Sequence, residues 1–196
     1  MSCGQFHSVI VCKSGLVYSC GKNDYGQLGF ENVDSVKIFS RVSIPQNNCV
    51  AQVCCGYYHT LFRTQNALVY GCGRNDYGQI GTGNSQNRLF GVYIISALRD
   101  KNVINIACGC YHSMAITSNS MLYVFGRNNH GQLGTGDLDE RHYPYQVDQF
   151  VGKHIISIAA GFYHTCILIG GDAFEKSGSD PDPLTKSLNN SSASEI

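Results

Sequence analysis

Four histidines are the first residues in this sequence that could do chemistry. His7, His59, His112 and His164 each close a Gly-x-x-His tetrad, and successive histidines lie 52, 53 and 52 residues apart. Imidazoles move protons and ligate metals, but a metal draws its ligands within a few Å of one ion. Residues repeated at this distance occupy matching places in separate structural units, about one unit apart. The spacing therefore favours a buried His that bonds a backbone group and fixes a turn. It points to no metal and no catalytic base. Ten cysteines follow, at positions 3, 12, 20, 49, 54, 55, 72, 108, 110 and 166. No paired Cys-x-x-Cys spacing suggests zinc. Most sit in apolar, strand-like runs such as Val53-Cys54-Cys55 and Ala107-Cys108, where Cys serves as a small hydrophobe. Reduced thiols and an intracellular setting, cytoplasmic or nuclear, are the expectation.

Glycines form the third group. Gly21, Gly26 and Gly29 recur as Gly73, Gly78 and Gly81, and again as Gly126, Gly131 and Gly134. A phosphate loop needs G-x-x-x-x-G-K-[ST], and a dinucleotide fingerprint needs a helix after it. Neither condition is met, so these glycines are expected to supply positive φ in tight turns. Asn23, Asn75 and Asn128 should cap local backbone in those turns. Gln27, Gln79 and Gln132 should hold a turn or a contact between units. No nucleophile with a base, and no carboxylate pair, stands out. An enzyme is not expected, and neither is a cofactor.

The elements that position these residues follow from the repeat. The tetrad is linked to a second motif, Tyr18-Ser-Cys-Gly21-Lys-Asn-Asp-Tyr-Gly26-Gln-Leu-Gly29, which returns from Tyr70 to Gly81 and from Tyr123 to Gly134. Within a period, β-rich runs at Val50–Cys55, Tyr58–Arg63 and Ala67–Cys72 are separated by Gly or a polar pair. They recur at Val103–Cys108, Tyr111–Thr117 and Met121–Phe125. A shorter fourth segment is expected at Ile38–Ile44, Phe90–Ile95 and Tyr143–Val147. Three or four strands per period of about 50 residues is the size of a propeller blade. Each blade hides its apolar faces only against its neighbours. The first unit, starting at Cys3, is expected to lack its first strand.

The pair of motifs, G-x-x-H with Y-x-x-G-x-N-x-x-G-Q-[LI]-G, resembles the repeat of the regulator of chromosome condensation family, over residues 3 to 169. The fold class implied is all-β: a partial, open propeller with units at about 3–49, 50–102, 103–154 and a partial 155–169, then a disordered tail over 170–196. The family's ring has seven blades. The tail is rich in Ser, Asp, Asn and Pro, and the N-x-[ST] matches at Asn189 and Asn190 are taken as accidents of that composition.

Positions that differ between repeats are the candidates for binding. They lie in the polar loops after each Gly-Gln-[Leu/Ile]-Gly turn: Glu31 and Asp34; Asn84, Gln86 and Arg88; Asp137, Asp139, Glu140 and Arg141. Tyr25, Tyr77 and His130 share one turn position and could line the same face. The resemblance implies a protein partner, with a small GTPase or a ubiquitin-ligase component as alternatives. Nucleotide exchange, the founding activity, is disfavoured because no unit carries an insertion that would form a wedge. Fourteen Lys and Arg balance fourteen Asp and Glu, so neither nucleic acid nor a membrane surface is expected as a partner. Two chains of this length would make about seven blades, which raises a homodimer.

Overall fold

The structure is a computed structural model describing residues 1–84 and 86–171. Of the tail expected over 170–196, residues 172–196 and both glycosylation-like motifs lie outside the described residues, while Gly170 N–H donates to His154 O at 2.7 Å. Among the described residues, fourteen strands form four antiparallel sheets, each a meander in sequence order. Blade 1 holds β1 (Ser2–Cys3), β2 (His7–Val11), β3 (Val17–Lys22) and β4 (Ser35–Val42). Blade 2 holds β5 (Val50–Cys55), β6 (His59–Thr64), β7 (Val69–Arg74) and β8 (Arg88–Ile94). Blade 3 holds β9 (Val103–Cys108), β10 (His112–Thr117), β11 (Leu122–Gly126) and β12 (Arg141–Gln146). Two strands, β13 (Ile155–Ala160) and β14 (Thr165–Ile169), make the partial fourth blade.

Two expectations change. The first unit keeps a stub of its first strand, because Ser2 and Cys3 pair with Val9 and Ser8. The fourth strands are not shorter than the others: β4, β8 and β12 have 8, 7 and 6 residues, starting two or three residues ahead of the expected segments. Their polar first residues hid them, since an outer strand has little need of apolar side chains. A one-turn 3-10 element then leads to each next blade, at Pro45–Asn47, Ser96–Leu98 and Asp148–Phe150.

The core lies between blades rather than within them. Val9, Val17 and Val42 of blade 1 pack against Val50, Phe62, Tyr70 and Cys72 of blade 2. Leu61, Val69 and Ile95 meet Val103, Ile106, Ala115 and Phe125 across the next interface. Met114, Ile116 and Val124 meet Ile155 and Ile158 across the third. Blades 2 and 3 are thus buried on both faces, as alternation of apolar residues on both sides of β6 and β10 requires. Among the described residues no blade follows blade 4, and Leu168 and Ile169 are correspondingly exposed.

One bulge recurs in every complete blade. The pairing of the third strand with the fourth shifts register at Gly21, Gly73 and Gly126. At Gly21, with φ +113°, a Cβ would stand 2.3 Å from the Phe6 carbonyl oxygen. Only glycine fits that approach. All ten cysteines are unpaired; Cys72 and Cys110 are buried, whereas Cys3, Cys12, Cys49 and Cys166 are exposed rather than packed.

Candidate functional site

The four tetrads come together at one end of the arc. Each tetrad Gly donates its N–H to its own His carbonyl oxygen, at 2.8–2.9 Å. Neighbouring tetrads are joined by backbone: Gln5 N–H to Tyr57 O at 3.2 Å, Tyr57 N–H to Cys110 O at 3.1 Å, and Cys110 N–H to Phe162 O at 3.2 Å. The histidines stand about one blade apart, as expected, but their bonds differ from the expectation. Instead of bonding backbone in its own turn, His7 reaches Thr60 of the next blade through Nε2, at 2.9 Å. His59 reaches Ser113 at 2.9 Å and His112 reaches Thr165 at 3.1 Å. Each hydroxyl in turn donates back to the blade the His came from: Thr60 to Gln27 O, Ser113 to Gln79 O and Thr165 to Gln132 O, at 2.7–2.8 Å. The hydroxyl proton being committed to a carbonyl, each imidazole donates from Nε2. Burial, with His59 nearby, pulls His7 and His112 down to about 4, so both stay neutral at physiological pH. These histidines are stitches between blades. Among the described residues, no group of three His, Cys, Asp or Glu converges on a point.

The Asn and Gln of the second motif do as the sequence suggests. Asn23 Oδ1 accepts from Leu28 N–H at 2.9 Å and its amide donates to Phe30 O and Val33 O. Gln27 Oε1 accepts from Tyr25 N–H at 2.9 Å while its own carbonyl takes the stitch. Side chain and backbone of one residue therefore hold a turn and a blade contact together.

This scaffold presents a band of rings and cations. The turn residue of one blade packs on the third tetrad residue of the next: Tyr25 on Tyr58 at 4.9 Å, Tyr77 on Tyr111 at 5.6 Å, His130 on Tyr163 at 5.0 Å between centroids. The residue after each bulge glycine is basic. Arg74 lies 5.1–6.0 Å from the rings of Tyr25, Tyr58, Tyr77 and Tyr111, drawn from three blades. Arg127 lies 4.9–5.7 Å from Tyr77, Tyr111 and Tyr163. Lys22 repeats the pattern over Phe6 at 5.4 Å. These distances are those of cation–π contact. Nearer the inner strands, Tyr57 and Phe162 meet edge to face at 5.6 Å. Phe6 and Phe162 are 47% and 51% exposed, and the tyrosines are partly exposed, so the band is open to solvent. Burial pushes the Tyr111 hydroxyl up to about 12, so it remains neutral beside the arginines.

The loop residues singled out from sequence lie at the same end, toward the outer strands. Arg88 joins the band directly: its guanidinium stacks on Tyr25 at 4.9 Å and donates to Asp24 O of the preceding blade at 3.3 Å. Asn84 and the Gln86 carbonyl accept from the Asn75 amide, and so hold their loop. Asp137 accepts from Asp139 N–H, Thr135 and Asn128 and pairs with Arg141, which stacks on Tyr145. The Asp139 backbone N–H, with the Thr135 hydroxyl and the Arg141 guanidinium, holds the Asp137 carboxyl below the usual range. Glu31, Asp34, Asp139 and Glu140 are exposed, with Glu140 within 3.7 Å of His142. The arginine series was not singled out from sequence. The signal was present: Lys22, Arg74 and Arg127 directly follow the bulge glycine.

Comparison with known proteins agrees with this architecture. A family model described as the RCC1-like domain matches residues 1–167. The ultraviolet-B receptor UVR8 of Arabidopsis thaliana is 32% identical over 162 residues, which is 80% of this chain and 37% of that protein. The probable E3 ubiquitin-protein ligase HERC4 of Mus musculus is 36% identical over 175 residues, 86% of this chain and 16% of that one. The chain thus spans well under half the length of either relative. Among solved structures, Prp20p of Saccharomyces cerevisiae superposes with a TM-score of 0.78 at 21% identity, covering 96% of this chain and 45% of its own. With one family matched from residue 1 to 167 and both repeat motifs carried by matching blades, the chain belongs to the RCC1-like domain family.

Proposed function

We propose that this chain is a protein-interaction module that binds its partner on the aromatic and cationic band. The observation carrying this reading is the interleaving of half-exposed tyrosines with arginines across three blade junctions. Tyr and Arg are enriched at interfaces and at their energetic centres. Rings already stacked on one another have little rotamer freedom left to lose on binding. The polar loops at Glu31, Asp34, Asp139 and Glu140 would form the rim. On this reading the protein performs no chemistry of its own and uses no cofactor.

Relatives support partners of this kind. Prp20p is described with binding properties to Gsp1p and histones, and in a second structure with Kap60. HERC4 is a probable ubiquitin ligase. A small GTPase or a ubiquitin-ligase component is the corresponding partner class here, in the cytoplasm or nucleus. Among the described residues no helix is long and apolar enough to cross a membrane. The test is quantitative affinity enrichment with three forms of the protein: wild type, Tyr77→Ala/Tyr111→Ala, and a rim control, Glu31→Ala/Glu140→Ala. The band variant should lose at least one partner about tenfold or more, the size of one hot-spot contact, while the rim control retains it. Loss in the rim control alone would overturn the reading. Exchange assays on the captured GTPases separate simple binding from nucleotide exchange.

A further inference from the structure

The same turn occurs three times, and in two of its copies it holds a carboxylate. In blade 1, Asp24 takes a hydrogen bond from Gln27 Nε2 at 3.1 Å and pairs with Lys22 at 3.4 Å. In blade 2, Asp76 takes one from Gln79 Nε2 at 3.2 Å and receives Arg74 through Nε at 2.9 Å and Nη2 at 2.6 Å. In blade 3 the matching residue is Asn129. The rest of the turn is unchanged, since Gln132 Oε1 still accepts from His130 N–H at 2.9 Å. Both donors that served the carboxylate are now unmatched. Gln132 is 4% exposed and its Nε2 has no partner. Arg127 has no ion pair among the described residues. It lies among three tyrosine rings, where a charge-assisted bond is stronger than in open water.

We infer that blade 3 carries a carboxylate-binding site, formed by Arg127 and Gln132 beneath the exposed Asn129, which a carboxylate of the bound partner fills as Asp24 and Asp76 fill theirs from within the protein. The inference rests on the protein-binding reading of the band and adds the chemistry of the group received. Asn129 is exposed to solvent. Tyr77, Tyr111 and Tyr163 then flank the incoming group, which suits an acidic residue next to an aromatic one, or the terminal carboxylate of a polypeptide.

The test follows the Arg127 Nε–Hε resonance by NMR in the whole protein. The probes are acetyl-Gly-Tyr-Glu-Tyr-Gly-amide, its Gln counterpart, and that Gln peptide with a free C-terminal carboxylate, each titrated to about 5 mM, where a millimolar contact is measurable. Inorganic phosphate is a fourth probe. A carboxylate peptide should shift the resonance, and the amidated Gln peptide should not. Whichever carboxylate peptide binds identifies a side chain or a terminus as the source. Asn129→Asp, which installs the arrangement of blades 1 and 2, should weaken that binding about tenfold or more. Equal binding by wild type and Asn129→Asp, or by the Glu peptide and the amidated Gln peptide, would overturn the site. So would phosphate binding with the same dependence on Asn129. If Tyr111→Ala abolishes peptide binding while Asn129→Asp does not, the carboxylate site is wrong and the band remains the docking surface.

Discussion

Removing the Ser113 hydroxyl tests the stitch between blades, and Ser8 supplies a control inside the same molecule. Both residues follow a tetrad His. Ser113 is fully buried, receives His59 Nε2 at 2.9 Å and donates to Gln79 O at 2.7 Å. No described blade precedes Ser8, and among the described residues its hydroxyl meets only the exposed Cys3 sulfur, at 3.6 Å. Ser113→Ala leaves two buried groups without partners, the imidazole N–H and the Gln79 carbonyl. Each such orphan costs about 1–3 kcal/mol, so the loss should be about 2–6 kcal/mol. Ser8→Ala removes no buried bond and should stay within about 0.5 kcal/mol of wild type. Equilibrium urea unfolding followed by circular dichroism measures both, provided the slope is unchanged between variants. A cycle with His59→Leu should show about 1–2 kcal/mol of coupling to Ser113, because the second removal costs less once the first is made. If Ser113→Ala fell within about 0.5 kcal/mol of wild type, or Ser8→Ala cost as much, the stitch would not be what joins the blades.

Acidification should weaken the fold. His7 and His112 are held at about 4 by burial, against about 6.5 in the unfolded state, so below pH 6.5 the unfolded state binds more protons. Stability is therefore level above about pH 6.5 and falls toward pH 4, by about 3 kcal/mol for each imidazole at the acid end. Urea midpoints across this range check the sign, and a midpoint that rises on acidification refutes it. Two glycine substitutions should separate crowding from backbone strain. At Gly56 a Cβ would stand 2.0 Å from His59 Cε1 and 2.6 Å from Gly109 O, whereas at Gly136, with φ +86°, it meets nothing within 4 Å. Gly56→Ala should cost about 3 kcal/mol or more, and Gly136→Ala about 1–2 kcal/mol from its left-handed backbone alone. Similar melting temperatures for the two variants would refute the distinction.

The fold was legible because a blade is a local object. Strands such as Val50–Cys55 and Val103–Cys108 announce themselves by composition, and the glycines mark their turns. What escaped was either short or relational. The Ser2–Cys3 stub has two residues, too few for any pattern. The outer strands begin on polar residues such as Ser35 and Arg141. The histidine stitches cross to a residue 53 or 54 positions away, which a single period cannot show. A hydroxyl after every tetrad His, at Ser8, Thr60, Ser113 and Thr165, was the available clue. The tetrad rings and the bases after the bulge were passed over for a related reason. Variable loops were favoured over repeated positions, yet the band is built from positions that repeat in kind: a ring in the tetrad, a base after the bulge.

The stitches are the same at every junction, so nothing in them says which blade follows which. A histidine from any blade could donate to the hydroxyl of any other. Order must be written elsewhere, and the contacts beneath Gly29 and Gly81 show where. Gly29 faces Val92 and the small thiol of Cys72, while Gly81 faces the full ring of Phe125. The first two junctions are closed by plugs of different size, and exchanging their blades would leave either a gap or a clash. Common fasteners make the blades compatible, and unequal plugs make their sequence readable, so that a misassembled arc is penalised by packing before any partner meets it.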